Sequence, residues 1–105
     1  MIIIKTSSDT IEIIKEISKI LIRKKLAACV NIIPNCYSYF LWEDNMQKNK
    51  ENLAFIKTIK SNEKKVYEII KNYHNYDVPE ILTVDVDNIY YQYKEWALGV
   101  IKKND

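Results

Sequence analysis

The order of apolar and polar positions divides the chain into alternating strand-like and helix-like stretches. Residues 2–5 form a β-branched run that predicts a strand. Thr6, Ser7, Ser8 and Asp9 then offer capping oxygens, with Glu12 three residues beyond Asp9, as at a helix start. Beyond Thr10, Ile13, Ile14, Ile17, Ile20 and Leu21 recur at steps of three and four and share one face, with Lys15, Glu16 and Lys19 elsewhere. The helix is expected to end near Lys24. Arg23, Lys24 and Lys25 suit its negative C-terminal end and read as helix-end complement and solvated face.

Residues 26–33 are almost continuously apolar and β-branched, which predicts a strand buried on both faces. Pro34 interrupts it and residues 36–42 resume, so the two pieces read as one long strand bent or bulged near Pro34 and Asn35. The polar stretch 43–52 predicts a turn. Residues 53–59 return to strand, with Ala54, Ile56 and Thr58 on one face and Leu53, Phe55, Lys57 and Ile59 on the other. Ser61 or Asn62 caps a second helix carrying Val66, Ile69, Ile70 and Tyr73 on one face, with Glu63 in its first turn. That helix ends before Pro79, which holds Val78 extended. Residues 81–86 alternate as a fourth strand. A last helix is expected over 88–102, with Tyr93, Trp96, Ala97 and Val100 at helical spacing and Lys102 and Lys103 at its end. Gly99 weakens it by about 1 kcal/mol relative to Ala, so its last turn frays or packs closely against a neighbour.

The resulting order is βαββαβ, an α+β ferredoxin-like sandwich with a long hairpin between the second and third strands and an extra C-terminal helix. Right-handed crossovers place both main helices on one face of the sheet. The other face needs cover, from the hairpin, the last helix or other copies of the chain.

Composition narrows the function. A chain of 105 residues, 48% hydrophobic and 29% charged, is expected to make one domain over residues 1–105. A net charge of +2 gives too little field for a general nucleic-acid binder. One glycine and 2 prolines argue against disorder and phosphate-cradling loops. Cys29 and Cys36 form neither a CxxC pair nor a disulfide framework, which suggests a reducing compartment. No basic leader opens the sequence and no stretch approaches the roughly 20 apolar residues of a membrane span. A soluble cytoplasmic protein is therefore expected.

Groups for chemistry are sparse. His74 is the sole histidine, without a Ser-His-Asp or Cys-His arrangement, and a helix-end charge complement is its plainer reading. Cys29 reads as a small buried hydrophobe. No metal-ligand spacing exists within one chain, although symmetry between subunits multiplies a single His or Cys into several donors. Tyr37, Tyr39, Phe40 and Trp42 run directly into Glu43 and Asp44, read equally as hairpin packing and as an interface. Base stacking would need a basic groove that is missing here.

Several separated motifs agree with one another: Leu26-Ala27-Ala28-Cys29-Val30-Asn31-Ile32-Ile33-Pro34, Tyr39-Phe40-Leu41-Trp42-Glu43, Ile56-Lys57-Thr58, His74-Asn75-Tyr76-Asp77-Val78-Pro79-Glu80-Ile81, and residues 93–96. Together they resemble the CutA divalent-cation tolerance family over nearly the whole chain. The resemblance implies homotrimers of ferredoxin-like subunits, similar in architecture to PII signalling proteins and linked to tolerance of copper and other divalent cations. It implies that the long strands pair with neighbouring subunits. It also implies that Cys29, Tyr39, Trp42, Glu43, Lys57, Thr58, His74, Tyr76 and Glu80 gather near inter-subunit clefts. There Lys57 would pair with Glu43 or Glu80 or hold an anion, and His74 would coordinate a metal or move a proton.

Departures from the family pattern concern function more than fold. Copper ligands proposed for bacterial relatives are a cysteine ending the first strand and two consecutive histidines after the second helix. Here the first strand ends in Lys5-Thr6 and Tyr73 precedes His74, so one of the three ligands remains and weak copper binding at His74 is expected. The family's glycines after Ile-Pro and Trp-Glu are Asn35 and Asp44, residues that tolerate left-handed geometry. The expectation is a non-enzymatic, homotrimeric tolerance protein. The alternative is a module binding a small anion or nucleotide in the clefts, with Lys57 and helix N-termini near Ser8 and Ser61 supplying positive potential.

Overall fold

A computed structural model describes residues 1–102. Alternation in β1 (Ile2–Ser8) sends Ile2, Ile4, Thr6 and Ser8 to one face, all of them buried. The strand lies inside a four-stranded antiparallel sheet of order β2-β3-β1-β4, formed with β2 (Cys29–Trp42), β3 (Asn45–Thr58) and β4 (Ile81–Asp85). Ile4 lies between Ile56 of β3 and Thr83 of β4. On that face sit α1 (Ile11–Arg23) and α2 (Glu63–Tyr73), and Ile17, Leu21, Val66 and Ile70 close the core over Ile2, Ile4 and Ile56. Each fully buried Ile or Leu contributes about 1.5–3 kcal/mol of transfer free energy. The α+β ferredoxin-like architecture expected from the sequence is the one observed, completed by α3 (Tyr91–Val100).

Helix ends differ from expectation. At the start of α1 the strand continues through Ser8, and Thr10 stands at the cap position without a side-chain cap bond. Ser8 is used differently: its hydroxyl accepts from the Thr10 N–H and donates to Asn75 Oδ1. At α2, Asn62 is in the cap position after a single 3₁₀ turn (Lys60–Asn62), but its amide points into the protein. Fully buried, it donates to the carbonyls of Leu26 and Lys102. Helix α1 ends at Arg23 as anticipated. Lys25 follows with φ 58°, the Lys25 N–H reaches the Ile22 carbonyl and the Leu26 N–H reaches that of Leu21. This is a Schellman ending with lysine at the position usually given to glycine.

The predicted bend in the second strand is a register shift between Ile33 and Cys36, with Asn35 at φ 60°. Burial on both faces does not hold, because Asn31 and Ile33 point to the sheet face away from α1 and α2 and are exposed there. The predicted turn over 43–52 also gives way. Pairing continues from Cys36 opposite Glu51 to Trp42 opposite Asn45, leaving only Glu43 and Asp44 to turn, at φ 51° and 63°. Two consecutive positive φ values are the signature of a type I′ hairpin. The arm helps stretch the molecule to 46 Å in its longest dimension.

Helix α3 is shorter than the expected 88–102, and Lys103 lies outside the described residues. It covers one end of the second face, where Lys57 Nζ stands 5.7 Å from the Tyr93 ring centroid, and Ala97 and Ile101 are buried. Neither α3 nor the arm covers Ile33, Leu82 and Val84, which stay 50%, 49% and 56% exposed.

Candidate functional site

A cleft of about 870 Å³ opens where the base of the arm meets the C-terminal end of β1 and the loop 74–80. Register places Cys36, Ser38, Phe40 and Trp42 on the same face of the arm as their partners Glu51 and Asn49, continuous with Leu53 and Ser7. Tyr76, Asp77, Val78 and Glu80 form the opposing wall.

That wall is fixed by a connected polar network. His74 Nδ1 accepts the Tyr76 N–H at 3.0 Å, which leaves Nε2 as the protonated nitrogen donating to the Ser7 carbonyl at 2.7 Å. The Tyr76 hydroxyl donates to Glu51 Oε2 and accepts from the Asp9 N–H, both at 2.9 Å. Burial, then the bond to Glu51, pushes the Tyr76 phenol up from 10.0 to about 12. Glu80 accepts from Ser7 Oγ at 3.1 Å and pairs with Lys5 Nζ at 3.3 Å. This ion pair is partly exposed, and such pairs contribute about 0–1 kcal/mol; it orients the carboxylate more than it stabilises the fold.

Of the residues singled out from the sequence, Tyr39, Trp42, Tyr76 and Glu80 line this cleft, and His74 anchors its wall. Glu43 sits in the turn at the arm's tip. Cys29, Lys57 and Thr58 lie toward the other end of the sheet, where Cys29 pairs with Lys57. Within the single chain Lys57 makes no ion pair among the described residues and stands over Tyr93; the pairing expected with Glu43 or Glu80 belongs to clefts between subunits. Thr58 is fully buried and donates to the Leu26 carbonyl at 2.6 Å, a structural bond. Sequence reasoning missed Lys5, Ser7 and Glu51 as cleft residues, while Phe40 belongs to the aromatic cluster it singled out. Glu51 was hidden inside the polar stretch read as a turn, and only its pairing with Cys36 gives it a direction.

The donors of one chain do not fit a resident metal ion. Among the described residues no three His, Cys, Asp or Glu side chains are placed to share one metal ion, and both His74 nitrogens are held by backbone groups.

The model of the CutA1 divalent ion tolerance protein family matches residues 1–99. A rice relative, Protein CutA 1, chloroplastic, is 39% identical over 78% of this chain, which spans 46% of that relative's length. The Divalent-cation tolerance protein CutA of Pyrococcus horikoshii is 33% identical over 98% of this chain and 100% of its own. The crystal structure of CutA1 from Oryza sativa superposes with a TM-score of 0.93 at 33% identity, covering 98% of this chain and 94% of that one.

Proposed function

The chain belongs to the CutA1 divalent ion tolerance family, and on that premise we propose that it is a non-enzymatic divalent-cation tolerance protein working as a PII-like homotrimer. The observation that carries the assembly is apolar surface left bare in the single chain. Leu41 and Trp42 on the arm are 69% and 65% exposed, and Ile33, Leu82 and Val84 stand open on the sheet face. Large apolar side chains left open at several places on one chain mark surface that another molecule covers. The open edge of β2 supports the same reading, because an unpaired edge is a template for another strand. Around a threefold axis, clefts between copies would bring Cys29, Lys57 and Thr58 of one copy near the arm of the next.

Copper contact, in this reading, is weak and runs through His74, the one imidazole in the chain. Its cost is definite: the ion must displace either the Tyr76 N–H or the Ser7 carbonyl. Anion binding has less support, since Lys5 is paired with Glu80 and Lys57 rests on Tyr93. No helix of the described residues is long and apolar enough to cross a membrane. The rice relative is named chloroplastic; for this chain a cytoplasmic site is proposed from its two unpaired cysteines.

The test is calorimetric titration of Cu²⁺ and Zn²⁺ into the protein and its His74→Ala variant, with oligomeric mass recorded in the same samples. Weak copper binding that disappears in the variant is expected. Absent binding, or binding unchanged by the substitution, would remove His74 from the cation role.

A further inference from the structure

The net charge of +2 conceals an uneven distribution. Arg23, Lys24 and Lys25 finish α1, Lys60, Lys64 and Lys65 begin α2, and Lys102 follows α3, all of them exposed. Folding gathers these segments at one end of the domain. The Lys102 N–H donates to the Lys25 carbonyl at 2.7 Å, and the Asn62 amide donates to the carbonyls of Leu26 and Lys102. The carboxylates beside them are Glu63, Asp85 and Asp87, and of these cations only Lys60 is in an ion pair among the described residues, with Glu63. Asp9, Glu12, Asp77 and Glu80 lie at the opposite end, around the start of α1 and the loop 74–80.

Helix-end complement accounts for only part of this basic end. The C-terminal end of α1 amounts to about half a negative charge, against three consecutive cations. At α2 the sign is reversed: a helix start is positive, Asn62 supplies no side-chain cap, and Lys60, Lys64 and Lys65 add charge of the same sign. Lys25 in turn holds a left-handed φ of 58°, which favours glycine. Cations are thus kept at positions where they cost stability, and an anionic partner offsets that cost.

The kind of anion follows from the side chains. All but Arg23 are lysines, point charges without the planar fork that grips phosphates and bases bidentately. Ile22, 44% exposed, adds an aliphatic side chain next to Arg23, as suits a layer of headgroups over hydrocarbon. We propose that this end of the domain docks on an anionic lipid bilayer, with Lys24, Lys25, Lys64 and Lys65 toward the headgroups. Helices α1 and α2 lie opposite the sheet face that the proposed trimer covers, so assembly leaves their lysines open. Neither His74 nor the arm takes part, which separates this role from the proposed function.

Co-sedimentation of the full chain with vesicles tests it, comparing phosphatidylcholine alone with phosphatidylcholine containing phosphatidylserine, at low and high salt. Binding is expected only where phosphatidylserine is present, and high salt should abolish it. A lysine close to such a surface is worth about fivefold in affinity. Lys64→Gln with Lys65→Gln, and separately Lys24→Gln on the other helix, should therefore weaken binding by about that factor for each lysine removed. Lys71→Gln, at the far end of α2, should leave it unchanged. Absence of binding, equal binding to phosphatidylcholine alone, insensitivity to the substitutions or an equal loss with Lys71→Gln would each overturn the proposal. So would displacement from the mixed vesicles by an oligonucleotide duplex at equal phosphate concentration, which would make the basic end a nucleic-acid surface.

Discussion

At the residue scale, single side chains hold positions that their type alone does not announce. Lys25 occupies a left-handed position at the end of α1, where a side chain costs about 1 kcal/mol and glycine does not. Lys25→Gly is therefore expected to stabilise the protein by about 1 kcal/mol in urea denaturation, and an unchanged or lower midpoint would contradict the assignment. The helix end itself was legible from three consecutive cations, but no glycine flagged its geometry. Asn62 presents the reverse case. Its type reads as a cap, while its buried amide ties Leu26 to Lys102. Asn62→Ala should cost about 0.5–1.5 kcal/mol for each hydrogen bond removed, the Leu26 carbonyl keeping its bond from Thr58, whereas Ser61→Ala should change thermal stability little. Tyr76 yields a pH prediction. Its phenol titrates higher folded than unfolded, so its contribution to stability is present below about pH 10 and is lost as pH rises toward about 12. Tyr76→Phe should remove that part of the alkaline decline in melting temperature.

At the scale of elements, the arm is where reading from sequence was least successful. Residues 43–50 are polar because the hairpin has left the core and is largely open to water, so the alternation that identifies a half-buried strand disappears, and Glu51 and Asn52 are polar although buried. The turn shrank to Glu43 and Asp44, both at positive φ. The pair Glu43→Asn with Asp44→Gly suits a type I′ turn far better. It should slow hydrogen exchange at the arm's backbone amides, and exchange left unchanged would argue against the two-residue turn. The edge strand was misread for a related reason: a continuous apolar run looks the same whether the protein's own core or another copy covers it. For α3, a Cβ added at Gly99 meets nothing within 4 Å. The helix therefore does not need glycine for close packing in the single chain, and Gly99→Ala should stabilise it by up to about 1 kcal/mol. Loss of oligomeric mass in that variant would instead place Gly99 against a neighbouring copy.

At the scale of the whole molecule, the βαββαβ order was legible because each core element carries a periodic face: Ile14, Ile17 and Leu21 on α1, Val66 and Ile70 on α2, Ile2 and Ile4 on β1. The cleft was only half legible. Its aromatic side is one continuous motif, but its polar floor joins Lys5 and Ser7 of β1 to Glu51 of β3 and Glu80 of a loop, groups brought together only by folding. The bare apolar side chains now have a use in the proposed trimer, where they supply the cover that the second sheet face lacks. The central claim is accordingly an assembly, and sedimentation velocity at micromolar concentration tests it most directly. One species of about three times the 12.5 kDa chain mass is expected, persisting on dilution and in high salt because the contact is apolar. A stable, soluble monomer under those conditions would contradict it.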